Sequence, residues 1–385
     1  MLTPGTFVFP GHSFYEDIVM SSDFESIVRA ENKSRVKWGF IWAIICAILW
    51  GLGYVALSML WLVPPYKEFA IFPEGSDGFI VATISMVSSA SIIYSLILTI
   101  FWVGGTGKMS DLPRTIRFFK ASRWYMLAAV FGGPVAIFGS TLAIGYIGGA
   151  FAASAALLSA VVGAVAAKIW YGENISRKAW MGICLILLGG IFIWNPGQMI
   201  AEITNPLAPE GIWIGYIGSL MSVIGWGLEG ATAARALDVT DADTGILTRF
   251  ISESFIWIFI FWPASMIIFG FDTVFNAIIA TLSSPSFIIW ALIAGLTVGL
   301  CYVALYKAYP LIGVGRGLSV GSLYVIFAIL GLSFFMGSTI DLWLVIGASI
   351  AIIGTFVMYW ESGDSLLECT RDCKPALAEL KESTQ

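Results

Sequence analysis

The sequence predicts an all-α membrane protein of ten transmembrane helices, arranged as two inverted five-helix repeats with both termini cytosolic. Three observations predict it: a composition too apolar for a water-soluble core, continuous apolar runs of membrane-spanning length, and loop charges that fall on one side. Hydrophobic residues make up 58% of the 385 residues and charged residues 12%, and mean hydropathy is +0.87. A soluble domain carries roughly 45–50% apolar and about 25% charged residues. The surplus here must face lipid. A bilayer core of about 30 Å takes about 20 helical residues, whereas a transmembrane barrel shows alternating segments of about ten. The runs are continuous, so helices are expected.

The apolar runs place the spans at Trp38–Leu62, Gly78–Val103, Trp124–Gly145, Gly149–Tyr171, Lys178–Trp194, Gly211–Leu237, Thr244–Gly270, Pro285–Ala308, Ile312–Met336 and Asp341–Trp360. This divides the chain into a cytosolic tail (1–37), a first repeat (38–195), an external linker (196–210), a second repeat (211–360) and a second cytosolic tail (361–385). The first tail lacks the basic and apolar regions of a secretory signal. It is acidic, with Phe14, Ile18, Phe24, Ile27 and Val28 at helical spacing, enough for one or two short amphipathic turns.

Orientation follows from Lys and Arg in the loops. Lys33 and Arg35, the run from Lys108 to Arg123, Lys168, Arg177, Arg235, Arg249, Lys307, Arg316 and the C-terminal basic residues all fall on one side. The opposite side has Lys67 alone among acidic residues. Within Asp111–Ser122, Ile116, Phe118 and Phe119 interleave with Arg114, Arg117 and Lys120, a pattern that suits either an interfacial helix or a charged loop.

An internal repeat supports two halves. Trp50-Gly51-Leu52 recurs as Trp226-Gly227-Leu228, Ile147-Gly148 as Ile312-Gly313, Gly172 as Gly337, and Gly182 and Gly189 as Gly347 and Gly354. All but the first share one sequence offset. Five spans per half is odd, so the second half enters the membrane inverted, a recurrent design of secondary transporters.

These residues resemble the drug/metabolite transporter superfamily, in its EamA-like ten-span branch. The likeness rests on the two Trp-Gly pairs, the small-residue stretch from Ala150 through Ala167 into Gly172-Glu173-Asn174, and Gly182 with Gly189; it covers Trp38 to Trp360. The second half departs from it, with Gly337-Ser338 in place of Gly172-Glu173. The resemblance implies carriage of small metabolites or drugs, often coupled to protons.

An ionisable residue deep in a span is costly and points to function. Glu229 follows the Trp-Gly-Leu motif of span 6, where span 1 has Gly53; it is the leading proton or substrate residue, against a structural ion pair with Arg235, Arg249 or Arg316. Glu253 lies four residues after Arg249, a spacing that favours a satisfied pair on one helix face. Arg316, between two glycines, is read as snorkelling or as a holder of an anionic group. Mid-span aromatics Trp50, Tyr54, Trp226, Trp257, Tyr302 and Tyr306 are candidates to line a cavity, and aromatic faces beside a carboxylate suit an organic cation. Trp38, Trp124, Trp194, Trp213 and Trp360 fall at span ends and suit interfacial belts. Glu173 is read as anchoring a cytosolic turn. Gly133-Pro134 and Pro263 are expected to kink their helices.

The expected function is secondary active transport of a small organic solute across the plasma or bacterial inner membrane, with proton coupling through an intramembrane glutamate. The partners are the solute, protons and the bilayer, with the protein as a monomer or homodimer. A membrane scaffold or sensor is the alternative. A membrane-embedded enzyme is weaker, because no span holds His and no nucleophile motif occurs. No cofactor or metal is expected: His12 is the only histidine, and Cys46, Cys184 and Cys301 sit in apolar runs while Cys369 and Cys373 lie in the tail. The basic residues form no face for nucleic acid.

Overall fold

A computed structural model describes residues 22–171, 176–207, 210–237, 239–312, 314–337 and 341–359. Among these, all regular structure is helical. Helix α1 runs without interruption over Ser22–Leu60. The tail expected to end at residue 37 is therefore helical from Ser22, continuous with the first apolar run; the stretch has no proline, and its first glycine is Gly39. Pro64-Pro65 prevents continuation. Helix α2 spans Gly75–Ile97 and ends in a π-helical turn, Leu98–Gly104. Two shorter helices follow, α3 (Leu112–Arg117) and α4 (Phe119–Val130). A π-helical turn over Phe131–Ile137 leads into α5, Phe138–Ile147. Pro134 lies inside that turn; its missing N–H and the flanking glycines account for the irregular hydrogen bonding.

Helices α6 (Gly149–Ala155) and α7 (Ser159–Tyr171) are joined by a tight turn of 3₁₀ helix. Helix α8, Arg177–Trp194, is capped by Ser176, whose Oγ accepts from the amide of Ala179. Asn195 ends it in the left-handed region, and α9 (Pro196–Ile203) occupies part of the expected linker. Helix α10 spans Ile212–Leu237. Helix α11, Ala242–Ile256, is capped by Asp241, and a π-helical turn at Trp257–Phe261 precedes α12, Trp262–Phe269. Both proline positions expected to kink a helix thus lie in or beside π-helical turns. Helix α13, Phe271–Ser283, occupies what was read as a loop. Helices α14 (Pro285–Ala294) and α15 (Leu300–Ile312) flank another π-helical turn, and α16 (Val314–Gly321), α17 (Tyr324–Met336) and α18 (Leu342–Tyr359) complete the chain.

Nine helical stretches among the described residues are long and apolar enough to cross a membrane. The expected tenth span forms α18, which is apolar but falls below that length. Side chains such as Ile267 (85% exposed) and Phe334 (84%) point outward from these helices, an arrangement that hydrocarbon tolerates and water does not.

Packing follows the small residues, which let backbones approach closely. Helix α1 lies against α15 and α17, and α10 lies against α5 and α7. Helix α1 therefore packs on helices far later in the chain, and α10 on helices that precede it. A Cβ on Gly139 would come within 2.5 Å of the Gly218 carbonyl, and one on Gly51 within 2.6 Å of the Tyr324 carbonyl. Helices α8 and α18 run antiparallel: Gly182 faces Met358, and Gly189 faces Gly347 and Ala351. Four of the repeated glycines, Gly182, Gly189, Gly347 and Gly354, are thus contact points of one helix pair.

Candidate functional site

Two ion clusters lie along α11, the first buried and the second partly exposed. The first joins four helices, α2, α10, α11 and α15. Arg249 Nε donates to Glu229 Oε1 on α10 at 2.8 Å, and Arg249 Nη1 donates to Glu253 Oε2 one turn along its own helix. The four-residue spacing puts Arg249 and Glu253 on one face. Arg249 and Glu253 are 0% exposed and Glu229 3%. The remaining carboxylate oxygens are satisfied by hydroxyls: Tyr302 on α15 donates to Glu229 Oε2 at 2.9 Å, and Ser91 on α2 donates to Glu253 Oε1 at 2.7 Å. The guanidinium also lies 4.4 Å from the Phe250 ring centroid and 4.8 Å from that of Tyr302, a favourable geometry for a desolvated cation.

Room for this cluster comes from Gly132-Gly133 in the π-helical turn before α5. A Cβ on Gly132 would collide with the guanidinium and come within 2.5 Å of the Glu229 carboxyl carbon; one on Gly133 would come within 2.5 Å of Glu253. The glycines and the displaced backbone are thus the wall of the charged site. Two carboxylates face one guanidinium, so with all three ionised the cluster has one negative charge in excess. Burying charge is tolerable only when it is paired and hydrogen-bonded. Capture of a proton or an organic cation would remove that excess.

An aromatic group adjoins the triad. Trp226 Nε1 donates to the Tyr302 hydroxyl at 2.9 Å, so one chain of hydrogen bonds runs from Trp226 through Tyr302 to Glu229. Trp50 meets Trp226 edge to face at 5.6 Å between centroids and stacks on Tyr324 at 4.5 Å. Tyr54 lies 6.4 Å from Trp226 and 5.8 Å from Tyr324. The two tryptophans matched by the repeat are therefore neighbours. Tyr306 is buried 6.4 Å from Tyr302. Trp257 is elsewhere: it packs with Phe138 and Phe261 in a separate apolar cluster. Arg316 donates to the Ile312 carbonyl at the start of α16. Tyr324, Ser91 and the glycine pair were not picked out by sequence reasoning; the Gly-Gly-Pro run was the available signal, read there only as a kink.

The second cluster centres on Asp243, which is 1% exposed. Its oxygens accept from Lys108 Nζ at 2.6 Å, Lys307 Nζ at 2.9 and 3.0 Å, and Trp102 Nε1 at 2.7 Å. Lys108 also contacts Asp241 at 2.5 Å. Burial opposes the charge on Lys108, but its hydrogen bonds to Asp241 and Asp243 prevail and hold its pKa above the ordinary lysine value. Lys307 Nζ lies 5.5 and 5.6 Å from the Trp42 and Trp102 rings. Sequence reasoning assigned Arg249 and Lys307 to cytosolic turns. The structure corrects Arg249, which is wholly buried within α11, and places Lys307 half-buried on α15. Glu173, His12, Cys369 and Cys373 lie outside the described residues. Among those residues, no group of three or more His, Cys, Asp or Glu has the arrangement to hold a metal.

No protein-family model and no curated protein matches the chain. A solved structure described only as "Crystal structure of protein" is similar at TM-score 0.41 and 15% identity, covering 85% of this chain and 96% of that one. A likeness at that level says nothing about function.

Proposed function

We propose that the protein is a secondary transporter of small organic solutes, with the Glu229–Arg249–Glu253 triad as its proton or cation site. The observation that carries this reading is the two-to-one ratio of carboxylates to guanidinium in a fully buried cluster. An intramembrane ionisable cluster has a functional reading by default; this one sits on α10 and α11, takes hydroxyl donors from α15 and α2, and adjoins aromatics from α1 and α17. Alternating access is read from ten spans in two inverted halves, with both termini cytosolic. The exchange of first helices between halves and the antiparallel α8–α18 pair are packing features that such a repeat would produce. The resemblance to the EamA-like branch of the drug/metabolite transporters points the same way. The two-to-one ratio of carboxylates to guanidinium beside Trp50, Tyr54, Trp226 and Tyr324 favours cationic or amphipathic solutes.

A scaffold role has one observation in its favour: Arg249 bridges both carboxylates, as a purely structural triad would. Flux in proteoliposomes separates the two readings. A thermal-shift screen of amines, amino acids, sugars and drugs identifies a solute, and its uptake is then measured with and without a proton gradient. Glu229→Gln is expected to abolish the response to the gradient while the protein remains folded. Unchanged gradient-driven uptake in that variant would overturn the coupling role, and absence of uptake of any stabilising solute by the parent protein would favour the scaffold.

A further inference from the structure

The stretch Leu112–Tyr125, which is α3 and the start of α4, has two chemically distinct sides. Its inner side is fixed to the helix bundle. Leu112 packs on the main core, and the Thr115 hydroxyl, buried on α3, hydrogen-bonds the Thr244 hydroxyl at 2.9 Å. Further along, Ala121 and Ser122 are buried and the Tyr125 hydroxyl meets Thr240 Oγ1 at 2.6 Å. Its outer side carries Arg114, Arg117, Lys120 and Arg123, all exposed. Between them, Ile116 is 37% exposed, Phe118 45% and Phe119 64%. The backbone leaves helical geometry at Phe118, where ψ is 71°, and this break presents both phenylalanines among the cations. The only acidic residue in the segment is Asp111 at its start, and among the described residues none of the four cations is in an ion pair.

We infer that residues 112–123 form a binding site for the headgroups of anionic phospholipids. The apolar stretch Phe119–Ile147 is long enough to cross a membrane and begins within the segment, so the cations lie where a span meets the bilayer surface. Exposed phenylalanines there enter the acyl boundary, and guanidinium groups match phosphate with paired hydrogen bonds. Zwitterionic headgroups carry no net charge to attract four cations, so the lipid is anionic. The inner contacts to Thr240 and Thr244 tie this surface to the start of α11, beside Asp243. Lipid bound outside therefore steadies the helix that holds Arg249 and Glu253. This inference does not depend on the transport reading.

The test is native mass spectrometry of the full purified chain with phosphatidylglycerol or phosphatidylcholine, together with thermal unfolding in nanodiscs of each lipid. The parent is expected to retain phosphatidylglycerol preferentially and to unfold at higher temperature in its presence. R114Q/R117Q/K120Q/R123Q is expected to lose that preference, by about fivefold for each charge removed. R114K/R117K/R123K keeps the charges and is expected to retain most of it, which separates lost binding from lost folding. R177Q/K178Q removes two exposed cations at the start of α8 and serves as the control. Equal retention of the two lipids by the parent, or equal loss in the control, would overturn the assignment. So would full stabilisation by glycerophosphate without acyl chains, which would make this a soluble-phosphate site.

Discussion

Arg249→Met is the most informative perturbation of the triad. It removes both ion pairs at once and leaves Glu229 and Glu253 with hydroxyl donors only, from Tyr302 and Ser91. Both carboxylates are essentially without solvent access, so neither gains hydration in exchange. Removing one partner of a buried pair destabilises by about 3–5 kcal/mol, a shift of roughly a hundredfold to several thousandfold in the folding equilibrium. Removing all three charges is far milder, because paired buried charges contribute little net stability relative to neutral side chains of similar volume. R249M/E229Q/E253Q is therefore expected to recover most of the loss. Unfolding by increasing mole fraction of SDS in mixed micelles, followed by tryptophan fluorescence and circular dichroism, measures the parent and both variants. An R249M protein within about 1 kcal/mol of the parent, or a triple variant no more stable than R249M, would refute the reasoning, since an unpaired buried charge is its only source.

Gly132→Ala and Gly133→Ala insert a methyl group where the guanidinium and the Glu253 carboxyl already lie; each is expected to lose about 1–3 kcal/mol by overpacking in the same SDS titration. Tyr302→Phe leaves Glu229 Oε2 and Trp226 Nε1 without their shared hydroxyl, an expected loss of about 1.5–3 kcal/mol, and chemical unfolding of that variant checks it. Lys108 has its pKa raised in the folded state by Asp241 and Asp243. Its contribution is therefore complete below the ordinary lysine value of 10.5 and fades as pH rises through the higher folded value. The stability difference between the parent and Lys108→Met is expected to shrink in strongly alkaline buffer and to hold steady from pH 6 to about pH 9; a difference that grows with alkalinity would contradict the pairing.

The helices were legible in the sequence because each apolar run must satisfy its own backbone in hydrocarbon. Length and polarity therefore located them to within a few residues. The same logic failed where polarity was ambiguous. Ser22–Lys37 reads as a tail because it is charged, yet nothing in it breaks a helix, and it continues into the first apolar run. Phe271–Ser283 reads as a loop because it is too short to span, yet it is helical. The Arg249–Glu253 pair was readable from spacing alone, since one turn of helix fixes the geometry. The repeat matched Trp50 with Trp226 as cavity-lining candidates, and the fold brings their rings edge to face.

Other contacts depend on how helices cross, which local pattern does not encode. Glu229 had three arginines as plausible partners, and only packing of α10 against the π-helical turn at Gly132-Gly133 selects Arg249. Ser91 reaches Glu253 across 162 positions of sequence, and Lys108 reaches Asp243 across 135. Trp257 reads as one of the cavity-lining aromatics, but the π-helical turn that begins there seats its ring against Phe138. The sequence by itself determined where the long apolar helices lie and that charges within them demand partners, because both follow from local chemistry in an apolar solvent. Only the tertiary structure decided which partners they take and that two carboxylates share one guanidinium, because that depends on glycine-set distances between helices far apart in the chain.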